Sequence, residues 1–244
     1  MIFPSDDGTE LDDTGIAAAY AYPADRAWLR ANFVASADGA GHLNGRSAGL
    51  SSPGDMRIFG ILRVLADVIL VGAGTARAEE YKAARYRPEL AELRAGRPPV
   101  ATIAVVTRSV NLDLAAPLFT EAPADARTIV ITSAAAPADR RAEAAKVADV
   151  IVAGETDVDL TAAVAGLHER DLSRVNCEGG PHLLRDLATA GLLDELCLSL
   201  SPMLTGPGAG RITAGQPFHA RPMTLAGLLV EDSFLYCRYL AGAS

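Results

Sequence analysis

The feature that most constrains this chain is Glu178-Gly179-Gly180-Pro181-His182-Leu183-Leu184, where the apolar run Arg174 to Cys177 ends and an apolar-periodic segment begins in one tight corner. Two glycines permit a sharp turn and close approach of a ligand to the main chain, and proline suits the first helical position, where no amide hydrogen is needed. The free amides of such a helix start, with the helix dipole behind them, favour an anion such as phosphate. The same residues also fit an ordinary strand-to-helix corner. A second corner tips the balance toward a ligand: the strand-like run Ala66 to Val71 leads directly into Gly72-Ala73-Gly74-Thr75. Ligands of open α/β sheets lie beyond the carboxyl ends of strands, so two such corners can hold two parts of one extended phosphorylated cofactor. Arg77 stands at the third glycine position of the dinucleotide fingerprint, and no Gly-Lys-Ser/Thr is present, which argues against a standard Rossmann domain and a P-loop NTPase.

The order of elements defines the fold class. Strands are predicted over Leu29 to Ser36, Ala101 to Thr107, Thr128 to Thr132, Val150 to Ala153 and Arg174 to Glu178, several as continuous apolar runs that imply burial on both faces. Helices are predicted over Pro53 to Leu65, Asp139 to Ala148, Leu160 to Arg170 and Leu183 to Ala190, with a helix-capable link from Arg77 to Arg97. This alternation requires a parallel sheet with helices on both faces. Beyond it, Glu195 to Leu204, Met223 to Val230 and Phe234 to Leu240 are strand-like with no ordinary helix between them, so they pair antiparallel, with a hairpin turn at Glu231-Asp232-Ser233. The class is therefore α/β with a mixed sheet, mostly parallel and finished by antiparallel C-terminal strands. Residues 1–25, polar and broken by Pro4, Gly8, Gly15 and Pro23, read as an extended N-terminal arm, and 26–244 as one domain.

Composition narrows the function. A net charge of -8 disfavours nucleic acid or anionic membrane as the main partner. No run approaches the roughly 20 apolar residues of a membrane span, and the first residues lack the order of a secretion leader, so the chain reads as cytoplasmic. Cys177, Cys197 and Cys237 fall singly in apolar runs, as small buried hydrophobes do. His42, His168, His182 and His219 lack the paired spacing of a zinc site, and no metal is expected. The absence of Gly-x-Ser-x-Gly leaves a Ser-His-Asp hydrolase little support.

Several separated motifs then align with one family in chain order: Ala35-Ser36-Ala37-Asp38-Gly39, Gly45-Arg46-Ser47 with Ser51-Ser52-Pro53, Leu62-Arg63, Gly72-x-Gly74-Thr75, Glu178-Gly179-Gly180-Pro181, Leu193-Asp194-Glu195-Leu196, and Ser201-Pro202-Met203-Leu204-x-Gly206. Over roughly residues 26 to 240 the chain resembles the reductase domain of bacterial riboflavin-biosynthesis deaminase-reductases. That resemblance implies a dihydrofolate-reductase-like fold, NADPH as cofactor, a heterocyclic small-molecule substrate and a homodimer. The zinc-deaminase signature of the bifunctional enzymes, His-x-Glu with Pro-Cys-x-x-Cys, is missing, so a stand-alone reductase is expected.

The resemblance also implies roles. Ala35 and Gly49 would contact the cofactor near its nicotinamide, Thr75 and Glu79 would lie along it, and Gly72 with the stretch Gly179, Gly180, Pro181, His182, Leu183 and Leu184 would hold its phosphates. Asp38 and Glu178 would face the substrate ring as the catalytic carboxylates, with Asp38 suited to proton transfer if burial raises its pKa. Ser47, Arg63 and Arg85 match positions that bind the phosphorylated sugar. Read from the residues alone, Thr107-Arg108-Ser109 offers a cation beside two hydroxyls after a strand, a combination that selects a 2′-phosphate and hence NADPH. Plainer readings stand beside these: Asp38 as a turn residue, Arg63 as an i,i+4 partner of Asp67, Arg85 and Arg108 as solvated cations. The chain departs from the family where Glu79 to Arg85 replaces an Asp-Asp/Asn-Pro and Leu-Thr-x-Arg segment, and at Gly49, where an aromatic is usual. Substrate identity is therefore open between a ribosylaminopyrimidine phosphate, such as 5-amino-6-(5-phosphoribosylamino)uracil, and a pterin such as dihydrofolate. A redox-silent NADPH-binding protein and a purely structural domain are the rivals from other classes.

Overall fold

The computed structural model describes residues 3–4, 9–94 and 96–242. Among these described residues ten strands form one sheet: β1 (Phe3–Pro4), β2 (Trp28–Ser36), β3 (Val68–Gly72), β4 (Thr102–Val106), β5 (Ile129–Thr132), β6 (Asp149–Val152), β7 (Arg174–Cys177), β8 (Glu195–Ser201), β9 (Met223–Glu231) and β10 (Phe234–Ala241). Their spatial order is β1-β9-β10-β8-β2-β7-β3-β4-β5-β6. From β8 to β6 every neighbouring pair is parallel, whereas β10 joins β8, β9 joins β10 and β1 joins β9 antiparallel. This is the mixed architecture the residue pattern implied, including the hairpin, whose turn residues Asp232 and Ser233 both take positive φ.

Among the described residues seven helices flank the sheet: α1 (Asp13–Ala19), α2 (Pro53–Leu65), α3 (Ala73–Ala78), α4 (Pro117–Thr120), α5 (Ala138–Val147), α6 (Leu160–His168) and α7 (Pro181–Thr189). On one face, Val164 and Leu167 of α6 and Leu183, Leu184 and Leu187 of α7 pack on Leu29, Val68, Leu70, Val175 and Cys177. On the other, α2 presents Ile58, Ile61 and Leu62 to Cys197, Leu229 and Tyr236, while Val71, Ile103, Val105 and Val130 form a separate cluster with Leu118 and Phe119 of α4. All three cysteines are free and buried.

Two expectations are corrected. The N-terminal segment is not extended throughout: Asp12 caps α1 by accepting from Gly15 N at 2.7 Å, and Ile16, Ala17 and Tyr20 are buried beside α2. Gly15 is tolerated inside the helix because tertiary burial outweighs its propensity cost of about 1 kcal/mol. The link from 77 to 97 is also less helical than expected, since α3 ends at Ala78 and only Pro88–Arg94 turns again, as a 3₁₀ segment. That segment has a task at the end of α2. Arg94 donates to the carbonyls of Val64, Ala66, Pro98 and Val100, and Arg97 to those of Leu65 and Leu93, satisfying acceptors that a helix end leaves open.

Inside the sheet a buried carboxylate ties β2, β8 and β10 together. Arg30 and Glu195 lie opposite each other in the β2–β8 register and both are fully buried. Glu195 accepts from Arg30 Nε at 3.0 Å, Arg238 Nε at 2.8 Å and Trp28 Nε1 at 2.8 Å. Burial alone would raise the Glu195 pKa, but the Arg30 charge and the Arg238 hydrogen bond hold it below the ordinary value. Its stabilisation is therefore complete above the unfolded carboxyl pKa and is lost as the pH falls through the lower folded one. Arg30→Met, which leaves part of a buried charge uncompensated, is expected to cost about 3–5 kcal/mol in urea unfolding.

Candidate active site

A cleft of about 820 Å³ opens along β2, α2, the segment that follows α3 and the double-glycine corner. Glu178, which follows β7 and is 8% exposed, lines it. Arg63 of α2 grips this carboxylate with two bonds, Nε to Oε1 at 2.8 Å and Nη2 to Oε2 at 2.6 Å. Tyr81 Oη donates to Oε2 at 2.8 Å and Asn176 Nδ2 to Oε1 at 3.1 Å. The guanidinium carbon of Arg63 also stands 4.4 Å from the Phe59 ring centroid and 5.2 Å from that of Tyr81. Burial disfavours the Arg63 charge, yet the Glu178 carboxylate outweighs it and raises the arginine pKa. Burial and then the Glu178 charge push the Tyr81 hydroxyl well above its usual range, so it remains a donor.

Arg63 is thus paired with Glu178 and not with Asp67, whose partner is Arg97 at 3.3 Å. Ser47 and Glu79 meet as well: Glu79 Oε1 accepts from Ser47 N at 2.9 Å and from Ser47 Oγ at 3.0 Å, both residues bordering the cleft. Arg85 lies exposed along the same border.

The double-glycine corner sits against Thr75. The Gly179–Gly180 peptide is cis, Gly179 has φ +123°, and any side chain at Gly180 would collide with Thr75 Oγ1. Helix α7 starts at Pro181 with no side-chain cap. Not every amide there is free. Gly72 N donates to Gly179 O at 2.7 Å and Leu184 N to Gly180 O at 3.0 Å, while the Leu183 and Leu184 side chains belong to the core. The expectation for this corner therefore contracts: Gly72 and Leu184 have their amides committed, and His182 and Leu183 precede the first helical acceptor and keep theirs.

Other expected residues fall elsewhere. Asp38 is exposed, outside the cleft lining, and its carboxylate accepts from Ser36 Oγ at 2.5 Å, Thr205 N at 3.0 Å and Gly206 N at 2.9 Å. These bonds, that from Ser36 first, lower its pKa to about 2, which overturns the expectation of a proton donor tuned by burial. Ala35 is buried within β2, where Asn32, Phe33 and Val34 line the cleft instead. Gly49 packs on Leu43 while Ala48 borders the cleft. Thr107, Arg108 and Ser109 follow β4 outside the cleft lining. Thr107 Oγ1 accepts from Val110 N at 3.1 Å, and Arg108 is exposed with Asp157 3.6 Å away.

Comparison with known proteins decides the kinship. The model of the RibD C-terminal domain matches residues 27–232. The chain belongs to the RibD C-terminal domain family. Within the family, it is 33% identical over 184 residues to a protein of Archaeoglobus fulgidus named 2,5-diamino-6-ribosylamino-4(3H)-pyrimidinone 5′-phosphate reductase, covering 74% of this chain and 83% of that one. A protein of the same name from Methanothermobacter thermautotrophicus is 31% identical, with 71% and 73% covered. A solved structure of a pyrimidine reductase-like protein from Corynebacterium diphtheriae superposes with a TM-score of 0.81 at 25% identity, over 89% of this chain and 93% of that one.

Two residues that line this RibD-type cleft, Tyr81 and Asp55, and one buried behind it, Asn176, escaped the sequence reading. Tyr81 is an aromatic within a charged stretch, Asn176 a polar residue in an apolar strand, and Asp55 an acid behind the Ser52 cap of α2, a position that reads as helix capping. The oddity of Tyr81 and Asn176 in their surroundings is the signal that could have marked them. A double-mutant cycle of Arg63→Gln and Glu178→Gln, followed by urea unfolding, is expected to give a coupling energy of about 2 kcal/mol, as bonds between charged groups do.

Proposed function

We propose that the chain is an NADPH-dependent reductase of a ribosylaminopyrimidine 5′-phosphate. The observation that carries this reading is the similarity over most of its length to relatives named as 2,5-diamino-6-ribosylamino-4(3H)-pyrimidinone 5′-phosphate reductases. Dihydrofolate is not favoured as acceptor, since these names specify a pyrimidinone phosphate.

The residues present fit a nicotinamide nucleotide. An uncapped helix start beside two glycines, with a Cβ excluded at Gly180, suits a pyrophosphate held by main-chain amides. Arg108, in a surface ion pair of little energetic weight, is available to a 2′-phosphate at the end of β4. When bound, the nicotinamide supplies the hydride. The chain positions the acceptor: Lys82, Arg85 and Arg63 provide positive charge for a sugar phosphate along the cleft. Glu178, its oxygens taken by Arg63, Tyr81 and Asn176, orients that arginine and does not serve as proton donor.

A homodimer is part of the proposal. Strand β8 reverses the usual alternation: Glu195, Cys197, Ser199 and Ser201 are buried, whereas Leu196, Leu198 and Leu200 are partly exposed. In register with these leucines stand Tyr239, Cys237 and Leu235 of β10, and Leu225 of β9 pairs with Tyr239, with Leu225 and Leu235 51% and 37% exposed. An apolar sheet face of this kind is suited to burial against a second copy.

Loss of reduced-nicotinamide absorbance with the diamino pyrimidinone phosphate tests the activity. Gly180→Ala is expected to weaken NADPH binding at least about tenfold, while NADPH binding without turnover would favour the redox-silent rival. Leu225→Glu with Leu235→Glu should convert the dimer to monomer in analytical ultracentrifugation, and an unchanged sedimentation coefficient would exclude this face.

A further inference from the structure

Tyr81 lies in the stretch Glu79 to Arg85, where the chain departs from the pattern of its family, so the resemblance assigns it no role. The way α3 ends aims it at the cleft. Glu80 N donates to Arg77 O at 3.3 Å and Tyr81 N to Ala76 O at 2.9 Å, the pair of bonds that closes a helix through a left-handed residue. Glycine is the usual occupant of that left-handed place, yet Glu80 holds it here at φ +53°, a strained choice that persists where surrounding contacts require it. The turn packs the Tyr81 ring against the apolar cluster that contains Ala76 and carries its hydroxyl to within 2.8 Å of Glu178 Oε2. Each oxygen of Glu178 then accepts one bond from Arg63 and one from an uncharged donor, Asn176 on Oε1 and Tyr81 on Oε2. Four bonds fill the acceptor capacity of a carboxylate, so the group cannot rotate without losing some of them. Asn176 is only two residues from Glu178 and fixes it locally. Tyr81 is 97 positions away and ties it to the segment that lines the cleft from Ala78 to Arg85.

This inference rests on the reductase reading. We infer that Tyr81 is a positioning residue for the sugar-phosphate end of the substrate: its hydroxyl holds the Glu178 carboxylate in the orientation that Arg63 requires, and it acts on the substrate through that pair. Without the hydroxyl, Glu178 keeps its arginine but loses the long-range bond that sets its angle, and the guanidinium turns with it. The loss falls on binding in the ground state and the transition state alike, and so appears in KM and not in kcat.

The test uses Tyr81→Phe, which keeps the ring beside Arg63 and removes the hydroxyl, together with Glu178→Gln and the double variant, in steady-state reduction of the diamino pyrimidinone phosphate. Tyr81→Phe is expected to raise KM about three- to tenfold, with kcat and the affinity for NADPH each within about twofold of wild type. In the Glu178→Gln background the same substitution should change KM by less than about twofold, because residues that act through one another are not additive. An unchanged KM, a loss confined to kcat, a parallel fall in NADPH affinity, or equal effects in the two backgrounds overturns the inference. Tyr81→Phe by itself decides the case if Glu178→Gln does not fold. If wild type reduces nothing, the reductase reading fails instead, and calorimetric titration with ribose 5-phosphate then decides the role of Tyr81 separately: weaker binding by Tyr81→Phe supports it, while equal binding, or none by wild type, overturns it.

Discussion

The cleft depends on one carboxylate placed where the sheet is most deeply enclosed. Glu178 follows β7, which lies between β2 and β3, and it joins that strand to α2 through Arg63 and to the segment beyond α3 through Tyr81. A bidentate arginine–carboxylate pair tolerates little change of angle, so it fixes both the distance of α2 from the end of β7 and the plane of the guanidinium. Phe59 and Tyr81 reinforce that plane through their rings.

Around this anchor the chain divides two kinds of polar work. The corner at Gly179 and Gly180 uses main-chain groups and leaves only a few amides uncommitted, which suits a ligand of fixed charge and little shape at that point. The floor beside α2 uses side chains, including the serine-bound Asp55. The Glu195 cluster lies at the opposite end of β2 from Ser36 and contributes stability, not chemistry. Trp28 belongs to it, so the sole tryptophan reports on the state of the sheet more than on events at the corners.

Much of this architecture is legible in the residues, for identifiable reasons. Helix α2 spans Pro53 to Leu65, the range its serine cap, proline and apolar spacing predict, and the continuous apolar runs of β3, β4 and β5 are buried as expected. Local patterns fail where distant partners decide. Arg63 and Asp67 stand at helix spacing, yet Arg63 is claimed by a carboxylate 115 positions away. Asp38 looks like an active-site acid from its place at a strand end, but the loop at Thr205 and Gly206, remote in sequence, occupies it. The α1 segment looks broken because Gly and Pro are read one at a time, while the burial of Ile16 and Tyr20 is a tertiary property. The resemblance places Leu183 and Leu184 along the cofactor phosphates, although their apolar character suits the core, where both side chains lie.

The arginine-capped end of α2 has a mechanical consequence. Its last carbonyls are satisfied by Arg94 and Arg97, which lie on the very stretch of chain that continues from the cleft border at Lys82 to Arg87. That stretch cannot swing away as a hinged flap without giving up these hydrogen bonds to the end of the helix. The arginine latch thus ties the far border of the cleft to the end of α2, while the backbone near Tyr81 lies upstream of it.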